Sequence, residues 1–449
     1  MAPARLSGLP LMEWALVVPI AIGLAFCAWY LSNYGYLPQP YFYEPYGTYM
    51  DFFAVAQYAH QEGAFDIFGS IYPPLSFALL RVLSWAPCYV DNGAVEARSC
   101  DVAGIASLYL IFAINAVLIY LTFRKIDRRT AIPRSFALAL GFPMTYTLER
   151  GNLLLFCFTC ILLAYGPLLR SARLRWVFAG LAVNFKIYLI GTLFAQLLRR
   201  RWLWFEGGVI ATVLVYLVTF AICGDGSPWQ IYDNIALFAG GYKASTLLDL
   251  WYNNSLIPLR TVLEGDAQFP ILAIIGSTYV AIGLIAVKTI IIVTVASIIV
   301  ASAATFWRPA AVPTFRVVYL SIAMAMATSE LGGYTHIFTV LFVFMEAWRG
   351  IGRRFAIIMA YVLCIPLDVP LQFAAEVYRE SFLSGGPVIT QYWLTLGVFL
   401  RPLLIYFIAI ALAMVTIRDV WAHAHTQPRL SPSGSPRLGF NSGAPASFD

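Results

Sequence analysis

Charge is what this chain has least of. Only 12% of its 449 residues are Asp, Glu, Lys or Arg, whereas a soluble domain carries about 25%. So little charge cannot coat globular domains with water-facing side chains, and a soluble multidomain protein is excluded. Histidine is scarce, at four residues, and His423 and His425 are too sparse for a zinc site. Cys157 and Cys160 form a Cys-x-x-Cys inside an apolar run without His or Cys partners, which reads as packing. There is no Walker loop and no Asp-x-Asp pair, so a nucleotide-sugar donor is not indicated. Nor do basic residues alternate with aromatics as a nucleic-acid surface requires.

Apolar mass fills the space that charge leaves. Hydrophobic residues make up 60% and aromatics 16%, with a mean hydropathy of +0.75. The chain reads as an all-α polytopic integral membrane protein. Apolar segments of roughly spanning length, about 20 residues, run near 13–32, 104–123, 134–148, 153–169, 204–223, 271–306, 316–329, 335–348, 355–370 and 391–417. The first, around Leu11–Leu31, lacks a small-residue cleavage site and reads as an anchor, not a cleavable signal peptide.

The net charge of +6 reports orientation, because basic residues are retained in cytoplasmic loops. With the N-terminus inside, Arg5, Arg124–Arg134, Arg170–Arg175, Arg199–Arg201, Arg308 and Arg316, Arg349–Arg354, and the arginines of the tail all fall on the inner face. The segment 176–198 has basic residues at both ends, so one crossing would strand three arginines outside. It is expected to enter and return as a re-entrant hairpin bent near Asn184-Phe185-Lys186, which is tolerated where protein or a water-filled cavity surrounds it. The expectation is about ten transmembrane helices plus this hairpin, with N and C termini cytoplasmic. Residues 1–417 form a single membrane domain with outer loops 33–103, 224–270 and 371–390, and 418–449 form a disordered cytoplasmic tail. Mass concentrated on the outer face implies work at that face.

Few residues there can carry chemistry. Asp51 follows the first span at the start of an apolar helical stretch (Phe52, Val55, Ala56, Ala59). It could act as a general base at the membrane boundary, or simply cap that helix. Arg150, beside Glu149, could bind phosphate or form an ion pair with its neighbour. Lys186 is an ionisable group inside a membrane segment, which marks a functional site by default, although it could also snorkel or pair structurally. The second outer loop carries Trp229, Tyr232, Asp233, Asn234, Lys243, Asp249, Trp251, Tyr252, Asn253 and Asn254. Such rings and amides suit sugar recognition, and an interfacial aromatic belt explains the rings equally well. Cys88 and Cys100 share an outer loop and are expected to form a disulfide in an oxidising compartment. Closing so short a loop contributes on the order of 3 kcal/mol.

The run Asp51-Phe52-Phe53-Ala54-Val55-Ala56-Gln57-Tyr58-Ala59, followed by Tyr72-Pro73-Pro74-Leu75, resembles the polyprenyl-phosphate-mannose-dependent mannosyltransferases of glycosyltransferase family 87. Arg150-Gly151-Asn152-Leu153-Leu154-Leu155, Gly180 to Lys186 ahead of Arg199-Arg200-Arg201, Asn253-Asn254-Ser255-Leu256 and Tyr334-Thr335-His336 fit the same pattern in the same order. Where the family often has a second histidine, Ile337 stands here. The resemblance implies a GT-C fold in a bacterial cytoplasmic membrane, with the active site facing the periplasm or cell exterior. It implies inverting transfer of a hexose, mannose in the family, from a polyprenyl-phosphate sugar donor to a glycolipid or polysaccharide acceptor. Asp51 would be the catalytic base. His336, Arg150, Lys186, Tyr72, Asn152, Asn253 and Asn254 would bind the donor phosphate or substrate, with no metal or other cofactor.

Two other classes share the lipid substrate. A transporter or flippase of lipid-linked glycans should show related halves with broken spans in matching positions, and only one such hairpin and no internal repeat is evident. A surface-polysaccharide polymerase or ligase depends on a large outer loop rich in Arg and His, and 371–390 holds only Arg379 and no His. The transferase is the expected function.

Overall fold

The computed structural model describes residues 9–41, 44–224, 226–241, 255–264 and 271–426. Within them the chain is mostly helical. Five helices are long and apolar enough to cross a bilayer: Leu11–Tyr34, Val102–Ile126, Trp202–Cys223, Gly276–Trp307 and Gly397–Thr426. The first four turn most of their apolar side chains away from the rest of the protein; on Trp202–Cys223, for instance, Leu203 is 78% exposed and Ile222 64%. Only lipid can cover such a surface without an uncompensated hydrophobic cost. The chain is a multi-pass membrane protein.

The remaining expected spans are shorter than a hydrocarbon core. Segment 134–148 becomes two helices, Ala131–Leu140 and Phe142–Arg150, and 335–348 shrinks to the eight residues His336–Val343. All eight of the latter are buried, as is most of Leu154–Tyr165. Burial explains the lengths: a helix surrounded by other helices meets no lipid and has no thickness to match. The long helices form the lipid-facing wall and the short ones fill its interior.

Segment 176–198 turns back on itself. The helix Ala172–Phe185 ends at Lys186, whose extended backbone leads through a 3₁₀ turn at Ile187–Ile190 into the helix Gly191–Leu198. Its two basic flanks meet at one place, because Arg175, Arg199 and Arg201 line the same cavity. The first limb packs closely on Trp202–Cys223. A Cβ at Gly180 would lie 2.8 Å from the Ala211 backbone, so only glycine permits this approach.

Segment 33–103 is itself built from helices, Met50–His60, Pro74–Leu83 and Ala94–Cys100, and the disulfide Cys88–Cys100 spans it with Cα atoms 5.7 Å apart. Segment 371–390 corrects the all-helical expectation. It lies within an antiparallel pair of strands, Pro370–Ser381 and Gly386–Thr395, turning at Gly385 with φ +68°. The hairpin is tied to the start of segment 33–103 by Ser381 Oγ donating to the Gly35 carbonyl (2.6 Å) and by Arg379 paired with Glu44 (3.2 Å).

Two further corrections concern charge. The last helix continues through Thr426, so 418–426 are helical and not part of a tail; 427–449 lie outside the described residues. Arg134, Arg316 and Arg353, expected in loops as topology markers, are buried and paired. Arg134 binds Glu13 of the first helix at 2.7 Å, and Tyr361 donates to the same carboxylate at 2.8 Å. Arg316 and Arg353 share Glu346 and Asp419. Taking these cations out of water requires carboxylates on neighbouring segments, and the acids are there.

Candidate active site around Asp51

Asp51 lies in the first turn of Met50–His60, but it does not cap it. The N-cap is Tyr49, in a left-handed conformation with φ 63° and no side-chain cap bond. The Asp51 carboxylate is instead held from outside its own helix. Arg150 Nη2 donates to one oxygen at 2.9 Å, and Asn152 Nδ2 to the other at 2.8 Å. This is also where Arg150 directs its charge, while Glu149 accepts from the Thr48 hydroxyl at 3.1 Å.

The chain builds this clamp locally. Phe142–Arg150 ends in a left-handed turn at Gly151, φ 63°, and a Cβ there would meet the Tyr49 carbonyl oxygen at 2.8 Å. Glycine therefore lets the two segments touch. The Tyr49 N–H donates to the Glu149 carbonyl at 2.7 Å, which fixes the Asp51 helix against the Arg150 turn. Asn152 Oδ1 accepts from the Leu154 N–H at 3.0 Å, starting the next helix and leaving its amide to point at Asp51. Donor and acceptor ends of this amide are both used, so its orientation is determined.

Two more segments close on the same place. Tyr72 neighbours Asp51, Arg150 and Asn152. Burial, and next the Asp51 charge, push the Tyr72 hydroxyl above its ordinary value, so it stays a phenol able to donate. The Lys186 ammonium stands 4.4 Å from the centroid of the Tyr72 ring, a cation–π distance. The hairpin tip thus reaches the Asp51 end of the molecule. Asp51 keeps 21% of its side-chain surface open and Arg150 11%, so the pair is accessible.

Sequence reasoning missed the aromatic wall. Tyr334 neighbours Tyr72 and feels the charges of Lys186, Asp51 and Arg150, and Tyr146 those of Arg150, Glu149 and Asp51. Tyr188 neighbours Tyr72 and Tyr334. The available signal was position: each tyrosine adjoins a break or an end in an apolar helical run.

The structure buries His336. It is 1% exposed, packed on Phe142 with ring centroids 5.5 Å apart, and Arg401 is the charge that acts on it. Phe142 in turn stacks on Tyr146 of the tyrosine wall at 5.0 Å. Asn253 and Asn254 lie outside the described residues, as do Lys243, Asp249, Trp251 and Tyr252. Cys157 and Cys160 are buried in packing, with the Cys157 thiol directed at the Ala182 carbonyl at 3.6 Å.

The arrangement offers a carboxylate with spare lone pairs, two cations and a phenol donor among aromatic faces. Such a set can accept a proton from a hydroxyl while balancing charge on a departing anion. No protein-family model, no curated protein and no solved structure matches this chain.

Proposed function

We propose that the chain is a membrane glycosyltransferase that moves a hexose from a polyprenyl-phosphate donor to an acceptor hydroxyl on the outer face of a bacterial cytoplasmic membrane. The observation that carries this reading is convergence: Arg150 and Asn152 from one segment bind the Asp51 carboxylate, and Tyr72 and Lys186, from two others, meet beside it. Asp51 accepts the proton of the acceptor hydroxyl as its oxygen attacks the anomeric carbon. The bond from that carbon to the phosphate oxygen breaks, its electron pair stays on the phosphate, and configuration inverts. Lys186 and Arg150 face the charge that develops on the leaving group. Asn152 and Arg150 hold the carboxylate in register, and Tyr72 donates to substrate oxygen. The tyrosine wall offers ring faces to the sugar. Mannose is the hexose the sequence resemblance favours, a glycolipid or glycan the acceptor.

Ten crossings and one re-entrant hairpin, with both termini inside, remain the topology we favour. Support comes from the shared location of Arg175, Arg199 and Arg201 at the end of the molecule away from Asp51, and from a disulfide in the segment that carries Asp51. Disulfides persist in oxidising compartments.

The test is reconstitution of purified protein in vesicles with a radiolabelled polyprenyl-phosphate mannose and a short lipid-linked mannoside. Transfer of label to the acceptor supports the reading. Movement of intact lipid-linked sugar across the bilayer without transfer would replace it with a flippase.

A further inference from the structure

The end of the molecule opposite Asp51 holds a cavity of about 590 Å³, within the about 300–1,000 Å³ typical of ligand pockets. The helix Leu154–Tyr165 connects the two ends. It begins beside Asn152, and Tyr165, about 18 Å further on at helical rise, lines the cavity.

The cavity's charge is lopsided. Among the described residues lining it are the arginines at 175, 199, 201, 316, 349 and 353, against only two carboxylates, Glu346 and Asp419. Both carboxylates are engaged by Arg316 and Arg353, Glu346 being 2% exposed. Arg175 is turned to the carbonyl oxygens of Gly166 and Leu169, at 2.9 and 2.6 Å, and the like charge of Arg201 acts on it. Arg199 donates to the Thr314 hydroxyl. The neutral carbonyl oxygens that orient Arg175 cancel none of its charge. Arginines that only set topology can spread through solvent and headgroups. Here they converge on a concavity with an apolar lining that includes Trp204 and Phe315.

Height in the membrane narrows the occupant. Close in sequence to the lining residues 310–314 lie the exposed Phe306 and Trp307, with Arg200 4.6 Å from the Phe306 ring centroid and Arg308 5.2 Å from that of Trp307. Exposed tryptophan beside arginine marks the headgroup level. A multiply charged phosphate group matches all three properties, because guanidinium forks bind phosphate oxygens in pairs.

We propose that this arginine-lined cavity is a second binding site, taking a phosphate monoester or pyrophosphate group. The site stands independently of the transferase reading. The phosphate can come from a lipid headgroup or from a soluble ion, and the test separates them. Full-length protein in phosphatidylcholine nanodiscs is titrated with inorganic pyrophosphate by calorimetry. In parallel, detergent-purified protein is offered phosphatidic acid or phosphatidylcholine and examined by native mass spectrometry. The cavity variant is Arg201→Gln with Arg349→Gln; the control is Arg124→Gln with Arg128→Gln, exposed arginines that do not line the cavity.

The proposal expects wild type and control to bind at least one probe, and the cavity variant to lose about tenfold or more in affinity for it. Pyrophosphate binding alone identifies a soluble ligand, and selective retention of phosphatidic acid a lipid headgroup. Should the double variant fail to fold, the exposed single change Arg349→Gln decides, with a loss of about threefold expected for one charge contact. Binding of neither probe, or an equal loss in the control, overturns the proposal.

Discussion

Lys186 stands 4.4 Å from the centroid of the Tyr72 ring, joining the break between Ala172–Phe185 and Gly191–Leu198 to the segment that carries Asp51. Lys186 lies eleven positions beyond Arg175, about 16 Å at helical rise, so this limb carries the lysine from the arginine-rich end to the Asp51 end. An ammonium among aromatic rings is costly to desolvate, and an added counter-charge stabilises it. In the proposed function that counter-charge is the donor phosphate.

Replacing Lys186 with Gln is therefore expected to raise the donor KM by about tenfold or more, the worth of one charge-assisted hydrogen bond. Lys186→Arg should recover part of the loss, because the cation is kept but its shape is not. Initial rates across a donor titration check both. Equal donor KM in wild type and Lys186→Gln would remove the lysine from the phosphate site.

Arg134 and Glu13 make a buried pair, 4% and 0% exposed at their side chains. Breaking such a pair from one side is expected to cost about 3–5 kcal/mol, because the partner charge stays behind. Arg134→Met alone should thus lower the unfolding temperature in detergent far more than Arg134→Met combined with Glu13→Gln. If the two variants melted alike, the pair would contribute no coupling.

His60 donates to or accepts from the Ser84 hydroxyl at 2.7 Å and stacks on Tyr89. Burial, and next the charge of Arg81, hold its pKa below the ordinary 6.5, with Asp101 opposing. The unfolded chain then takes up the proton first as pH falls, so stability rises with pH in this window. The His60 contribution is complete above pH 6.5 and is lost as pH falls below that value toward the depressed folded one. Unfolding temperature measured between about pH 7.5 and 5 should fall less steeply in His60→Gln than in wild type. Identical slopes would contradict the assignment.

How far the sequence was readable follows one rule: it marked individual residues better than partnerships. Asp51, Arg150 and Lys186 stood out because ionisable groups are rare in so apolar a chain. That Arg150 would hold Asp51 could not be read, since Glu149 is its sequence neighbour and the pairing depends on a turn at Gly151. Arg134, Arg316 and Arg353 looked like loop residues because counting basic residues by side says nothing about carboxylates on other segments. The short buried helices looked like full spans because apolar composition does not distinguish a protein neighbour from lipid. The strands Pro370–Ser381 and Gly386–Thr395 escaped notice for a related reason. The first is exposed on both faces; the second alternates in burial, but it buries Thr390 and exposes Ile389, so its polarity does not follow that alternation, and only the Gly385-Gly386 turn gave a local cue. The burial of His336 against Phe142 was not readable either, because that contact joins two distant segments.

The central claim is that Asp51 removes the acceptor proton. The most direct measurement is single-turnover sugar transfer by wild type, Asp51→Asn and Asp51→Glu at saturating donor, with donor binding measured separately. Asp51→Asn is expected to lose about 100-fold or more in rate while still binding donor, and Asp51→Glu to keep a measurable part. Full transfer by a folded Asp51→Asn protein would contradict the account.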